Sequence, residues 1–127
     1  VRDRGWLETR RVISAGVDVK PMFAEVINDL GAIATVPYKM TSTQELADAV
    51  AEAAKAHDTI FLVNHGVVAL GKNLKQALFR AQVAEDAAKS FVAASIVGRP
   101  AFLTEEQVAE LRKLEAGAYR TRMMERS

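Results

Sequence analysis

The chain contains no cysteine. That excludes disulfides and thiolate sites, and it leaves the redox compartment open. No apolar run reaches membrane-spanning length. Charge of one sign is also lacking: 17 basic and 16 acidic side chains are interspersed and leave a net charge of +1. Such a balance points neither to nucleic acid nor to an anionic membrane surface. With only two histidines, His57 and His65, the chain cannot build a three-histidine zinc site by itself. No glycine-rich phosphate loop is present, because Gly66 and Gly71 lack the required spacing. No local motif suggests a Ser-His-Asp arrangement. Internal repeats, linkers and low-complexity segments are missing too.

What is present is an apolar half. Of 127 residues, 50% are hydrophobic, enough for the core of one domain, small or incomplete. The absence of a signal peptide favours the cytoplasm. Val1 in place of methionine is compatible with a processed, truncated or partial amino terminus.

Residues 59–73 organise the rest. Ile60–Val63 and Val67–Leu70 are short apolar runs of strand character. Asn64, His65 and Gly66 between them permit a tight reversal, since Asn and Gly tolerate positive φ. The reversal holds His65 at the end of a buried strand, its ring aimed off the sheet edge. On chemistry alone His65 reads first as a hydrogen-bonded turn histidine.

The remaining elements follow from period and caps. Residues 1–11 form an irregular, charged start. Val12–Val19 reads as a strand or as a helix end broken by Gly16. Pro21 suits the first turn of a helix over about Met22–Leu30, stopped by Gly31, with Met22, Phe23, Val26, Ile27 and Leu30 inward. Ala32–Tyr38 reads as a strand ended by Pro37. Ser42 and Glu45 have capping-box spacing for a helix to about Ala56, with Leu46, Ala49, Val50 and Ala53 inward. His57, just beyond it, reads as structural or solvated. Asn73 and Gln76 cap a long helix whose inner face runs from Leu74 and Leu78 through Ala81, Ala84 and Ala88 to Ile96. Gly98-Arg99-Pro100 ends it. Thr104 and Gln107 cap a last helix with Val108, Leu111 and Leu114 inward, followed by a mobile, basic tail over residues 117–127.

The phrase Phe61-Leu62-Val63-Asn64-His65-Gly66-Val67-Val68-Ala69-Leu70-Gly71-Lys72-Asn73-Leu74, with Ala77-Leu78 and Arg80-Ala81 after it, resembles the class II aldolase/adducin family. Val36-Pro37-Tyr38 matches a further family phrase. The resemblance covers roughly Val12–Leu114. It implies an α/β fold: a three-layer α/β/α domain with a largely antiparallel central sheet, here represented by its carboxy-terminal portion and incomplete at the amino-terminal side. The whole of residues 1–127 is expected to form one such partial domain.

By that resemblance His65 is the last of three histidine ligands to Zn2+ or another divalent metal. The metal would act as a Lewis acid in carbon–carbon bond cleavage of a sugar phosphate or related hydroxy-carbonyl compound. The family's His-x-His pair should fall near residues 3 to 5, where this chain has Asp3, Arg4 and Gly5. Glu8 comes too late to be the family's acid/base glutamate. Tyr119 lies in a tail comparable to one that approaches a neighbouring subunit's site, which makes it a candidate catalytic residue. The resemblance also implies a small-molecule substrate and a homo-oligomer, a tetramer in the family. Three functional readings stand: a metal-dependent aldolase-like lyase (or a related epimerase or decarboxylase), an adducin-like non-catalytic interaction module, and an inactive fragment.

Overall fold

A computed structural model of the chain describes residues 12–16 and 19–124, with residues 115–124 as helix backbone. A helical piece at residues 12–14 closes on Gly16, whose φ is 65°. The Gly16 N–H donates to the Ile13 carbonyl at 3.1 Å. Of the two readings of this stretch, the broken helix end is therefore the one realised.

Helix α1 spans Ala24–Leu30, starting later than Pro21 predicts, because Phe23 is extended and takes the cap position. Pro21 instead lies on the lead-in, where its carbonyl accepts the Leu103 N–H at 2.9 Å. Gly31, at φ 66°, ends α1 and donates to the Ile27 carbonyl at 3.0 Å. This left-handed turn is cheap only for glycine-like residues.

Strand β1 (Ile33–Val36) leads to helix α2 (Gln44–Ala54). The cap of α2 is Thr43, one residue after the expected Ser42. Thr43 Oγ1 accepts the Leu46 N–H at 3.3 Å. Ser42 sits at φ 62°, and Glu45 is engaged by Lys39, so no capping box forms between them. Strands β2 (Thr59–Leu62) and β3 (Gly66–Ala69) follow. The sheet order is β1-β2-β3. The β1 and β2 strands run parallel, because α2 carries the chain back between them, whereas β2 and β3 pair antiparallel as a hairpin.

Side chains alternate across this sheet and separate two cores. Ile33, Phe61 and Val67 face Val26, Leu30, Ala84 and Ala88. Val36, Ile60, Leu62 and Val68 face Leu46, Ala49, Val50 and Ala53 of α2. The sheet is thus the middle of three layers, and β2 is buried along its whole length.

Helix α3 (Leu74–Val97) begins at Asn73, whose side chain accepts the Gln76 N–H at 2.9 Å; Gln76 Oε1 returns to the Lys72 N–H at 2.7 Å. Its inner face is narrower than its apolar period suggests. Ala84, Ala87 and Ala88 are buried, but Leu74 is 89% and Ile96 80% exposed, and Leu78 is exposed as well. The reason is length: 24 residues of helix extend about 36 Å, whereas a strand of four residues covers about 13 Å. Only the middle turns meet the sheet. Helix α4 (Glu105–Met124) carries the expected cap, with the Gln107 N–H on Thr104 Oγ1 at 3.2 Å and the Thr104 N–H on Gln107 Oε1 at 2.9 Å. It packs on α1. Leu114 is 70% exposed rather than inward. The helix also continues through residues 117–124, where a mobile tail is expected; these are mostly good helix formers, and the one glycine costs only about 1 kcal/mol.

Candidate functional site

In an open α/β sheet the place for chemistry is the edge where parallel strands end. Here Val36 ends β1 and Leu62 ends β2, side by side in register. The Val63 N–H extends this ladder to the Val36 carbonyl at 3.0 Å. Residues 63–65 then reverse the chain. Asn64 takes φ 57°, and the His65 N–H donates to the Leu62 carbonyl at 3.0 Å. His65 is therefore fixed by its backbone to the end of a fully buried strand, while its side chain is exposed. Its ring has no hydrogen-bond partner among the described residues, and an imidazole nitrogen is a possible metal ligand.

The same edge carries Tyr38 and Met40, both exposed, in the connection that leaves β1. It also carries both described non-glycine residues of positive φ, Ser42 and Asn64. Left-handed backbone at such residues costs free energy and recurs where loops are shaped for function.

His57 is placed at the other end of β2. Its Nδ1 lies 3.0 Å from the Ala32 carbonyl and its N–H reaches the Ala53 carbonyl at 3.1 Å. It ties the end of α2 to the start of β1, a structural role. A strand's length, roughly 10 Å or more, separates the two histidines. Tyr119 has a backbone position in α4, and no contact with His65 follows from it. Asp3, Arg4, Gly5 and Glu8 lie outside the described residues.

A zinc site takes three or four protein donors. Among the described residues no three His, Cys, Asp or Glu side chains come together to hold a metal ion. These residues therefore supply one donor, His65, and not a complete site.

Two features escaped the reading of the sequence. Arg80 on α3 gathers three segments: Nη1 donates to the Leu70 carbonyl at 2.5 Å, Nε to the Asp29 carbonyl at 3.4 Å, and Nη2 pairs with Asp58 Oδ2 at 2.9 Å. It closes the hairpin at the end away from His65. Its signal was a lone cation in the otherwise apolar run from Ala77 to Ala81. Glu85 is buried on α3 beside Ala84, Ala87 and Ala88, a position the alanine period does not single out.

Comparison with solved structures agrees with this architecture. YgbL from Klebsiella pneumoniae superposes with a TM-score of 0.74 at 25% identity, over 82% of this chain and 52% of that one. An L-fuculose 1-phosphate aldolase superposes with a TM-score of 0.76 over 89% of this chain and 51% of its own; its 24% identity speaks for the fold alone. The family profile of the Class II Aldolase and Adducin N-terminal domain matches residues 9–92. The chain belongs to the class II aldolase/adducin family. The 5-deoxy-D-ribulose 1-phosphate aldolase of Bacillus thuringiensis serovar kurstaki is 32% identical over 77 residues, which are 61% of this chain and 36% of that protein. The 3-oxo-tetronate 4-phosphate decarboxylase of Escherichia coli K12 is 32% identical over 96 residues, 74% of this chain and 44% of the other. The chain thus spans about half or less of the length of these relatives.

Proposed function

We propose that the chain is the portion of a class II aldolase-type lyase that presents His65 as one ligand to a divalent metal, zinc or a similar ion. The reading rests on one observation: an exposed imidazole without a hydrogen-bond partner among the described residues, on a backbone fixed at the carboxyl end of a buried strand. The substrate class it favours is a phosphorylated hydroxy-carbonyl compound, as the names of the relatives suggest. The described residues do not complete a metal site, so the further donors must come from outside them, in this polypeptide or in another. What its own residues do is fix the His65 backbone at the end of β2, through the hydrogen bond from its N–H to the Leu62 carbonyl. Tyr119 is proposed as a catalytic residue that approaches a neighbouring subunit's site in a homo-oligomer. None of the described helices is long and apolar enough to cross a membrane, and we place the protein in the cytoplasm.

Activity is tested by supplying zinc and either 5-deoxy-D-ribulose 1-phosphate or 3-oxo-tetronate 4-phosphate and measuring released aldehyde or carbon dioxide. Turnover that disappears in His65→Ala supports the reading. A second reading, an adducin-like module without catalysis, draws on the single donor that the described residues supply. It gains if neither substrate turns over and the His65→Ala protein behaves like the parent in every binding assay.

A further inference from the structure

At the amino end of β1, opposite the His65 edge, a groove of about 740 Å³ opens between α1, the Val19–Pro21 lead-in and the first turns of α4. We propose that this groove binds a medium-chain carboxylate, an anion with a short apolar tail. Its volume falls within the roughly 300–1,000 Å³ typical of small-molecule sites. Val19, Val26, Ile27, Ile33 and Val108 line it with aliphatic surface.

The walls are fixed before any ligand arrives. The Leu103 N–H donates to the Pro21 carbonyl at 2.9 Å, joining the segment before α4 to the lead-in of α1. Phe102 stacks on Phe91 of α3, with ring centroids 6.2 Å apart, and anchors the same segment from behind. A preformed apolar groove loses little ordering free energy on binding.

The rim selects the head group. Lys20 and Arg112 both line the groove and are exposed, and neither has an ion-pair partner among the described residues. One acid, Glu105, shares the lining. The balance at the rim is one excess positive charge, carried by side chains long enough to reach a carboxylate at the mouth. An aliphatic tail on the valine and isoleucine floor places its carboxylate at that rim. A neutral head group would leave that excess positive charge unanswered, and a cationic one would add to it.

The test is isothermal titration calorimetry of the full chain with octanoate below its micelle concentration, beside octanol and octyltrimethylammonium. Saturable one-to-one binding of octanoate is expected, about tenfold or more tighter than octanol, with no saturable binding of the cationic analogue. The double variant Lys20→Glu/Arg112→Glu changes exposed side chains only, and it should keep its melting temperature while losing about tenfold or more in octanoate affinity. Val108→Trp, which fills the groove, should abolish binding; should that variant not fold, the charge-reversal pair decides. His65→Ala should leave octanoate binding unchanged, which separates this site from the carboxyl edge. Equal affinity for octanol and octanoate, binding indifferent to the charge reversal, binding lost in His65→Ala, or no saturable binding would each overturn the proposal.

Discussion

Replacing Arg80 by methionine should cost the fold about 2–3 kcal/mol, even though the residue lies on a helix and touches no ligand. The magnitude comes from its three contacts. The Leu70 carbonyl, at 2.5 Å from Nη1, is a charge-assisted hydrogen bond at the point where β3 leaves the sheet; such bonds contribute roughly 1.5–3 kcal/mol. The Asp29 carbonyl at 3.4 Å from Nε is at the limit of a hydrogen bond and adds little. The Asp58 pair, at 2.9 Å, joins a side chain 18% exposed to one 52% exposed. Solvent screening holds such a pair to about 0–1 kcal/mol. Methionine preserves much of the aliphatic stem, so the loss reports on the guanidinium. Urea unfolding followed by circular dichroism measures it as a shift in midpoint at constant slope. The partition has its own check: Asp58→Asn alone should cost less than about 1 kcal/mol. An Arg80→Met protein within about 0.5 kcal/mol of the parent, the level of an ordinary surface change, would refute the clamp.

Thr59 Oγ1 is fully buried and has no hydrogen-bond partner among the described residues, so Thr59→Val should raise stability by about 1 kcal/mol in the same unfolding assay. At Gly71 an added Cβ would lie 2.6 Å from the Ala77 backbone nitrogen; Gly71→Ala should therefore destabilise by about 1–3 kcal/mol as the start of α3 is pushed aside. Asn73→Ala removes the acceptor for the Gln76 N–H and should lower stability by about 1 kcal/mol, read as a drop in melting temperature. Asn64→Gly, at φ 57°, should be tolerated, whereas Asn64→Val should cost about 1–2 kcal/mol and broaden the His65 resonances in NMR spectra.

Much of this fold is written locally. The turn at Asn64 and His65 is legible because Asn accepts positive φ between two apolar runs, and the helix starts at Asn73 and Thr104 because each has a partner three residues on. Thr43 shows the limit of that logic. Ser42 has the better capping-box spacing, but its backbone is turned to φ 62° and Lys39 holds Glu45. Leu74, Leu78 and Ile96 show another limit. Their period is helical and apolar, but the sheet below is too short to cover them. The parallel pairing of β1 and β2 is not a local property, because it depends on how α2 returns the chain. Arg80 illustrates the same point, since its partners Asp29, Asp58 and Leu70 are distant in sequence and meet only after the hairpin packs on α3. At the candidate site, the position of His65 was readable from the turn and from the family phrase. Its partners were not, because the described residues contain no second donor beside it.

The most direct test of the central claim is the metal content of the purified chain, measured by elemental mass spectrometry beside His65→Ala. Bound zinc or another divalent metal that is lost in the variant, with an unchanged circular dichroism spectrum, is the expected result, and it would show His65 acting as a ligand. Absence of metal from the parent after zinc loading, or equal metal in both proteins, would contradict it. The family fold would then stand without the metal chemistry proposed for this chain.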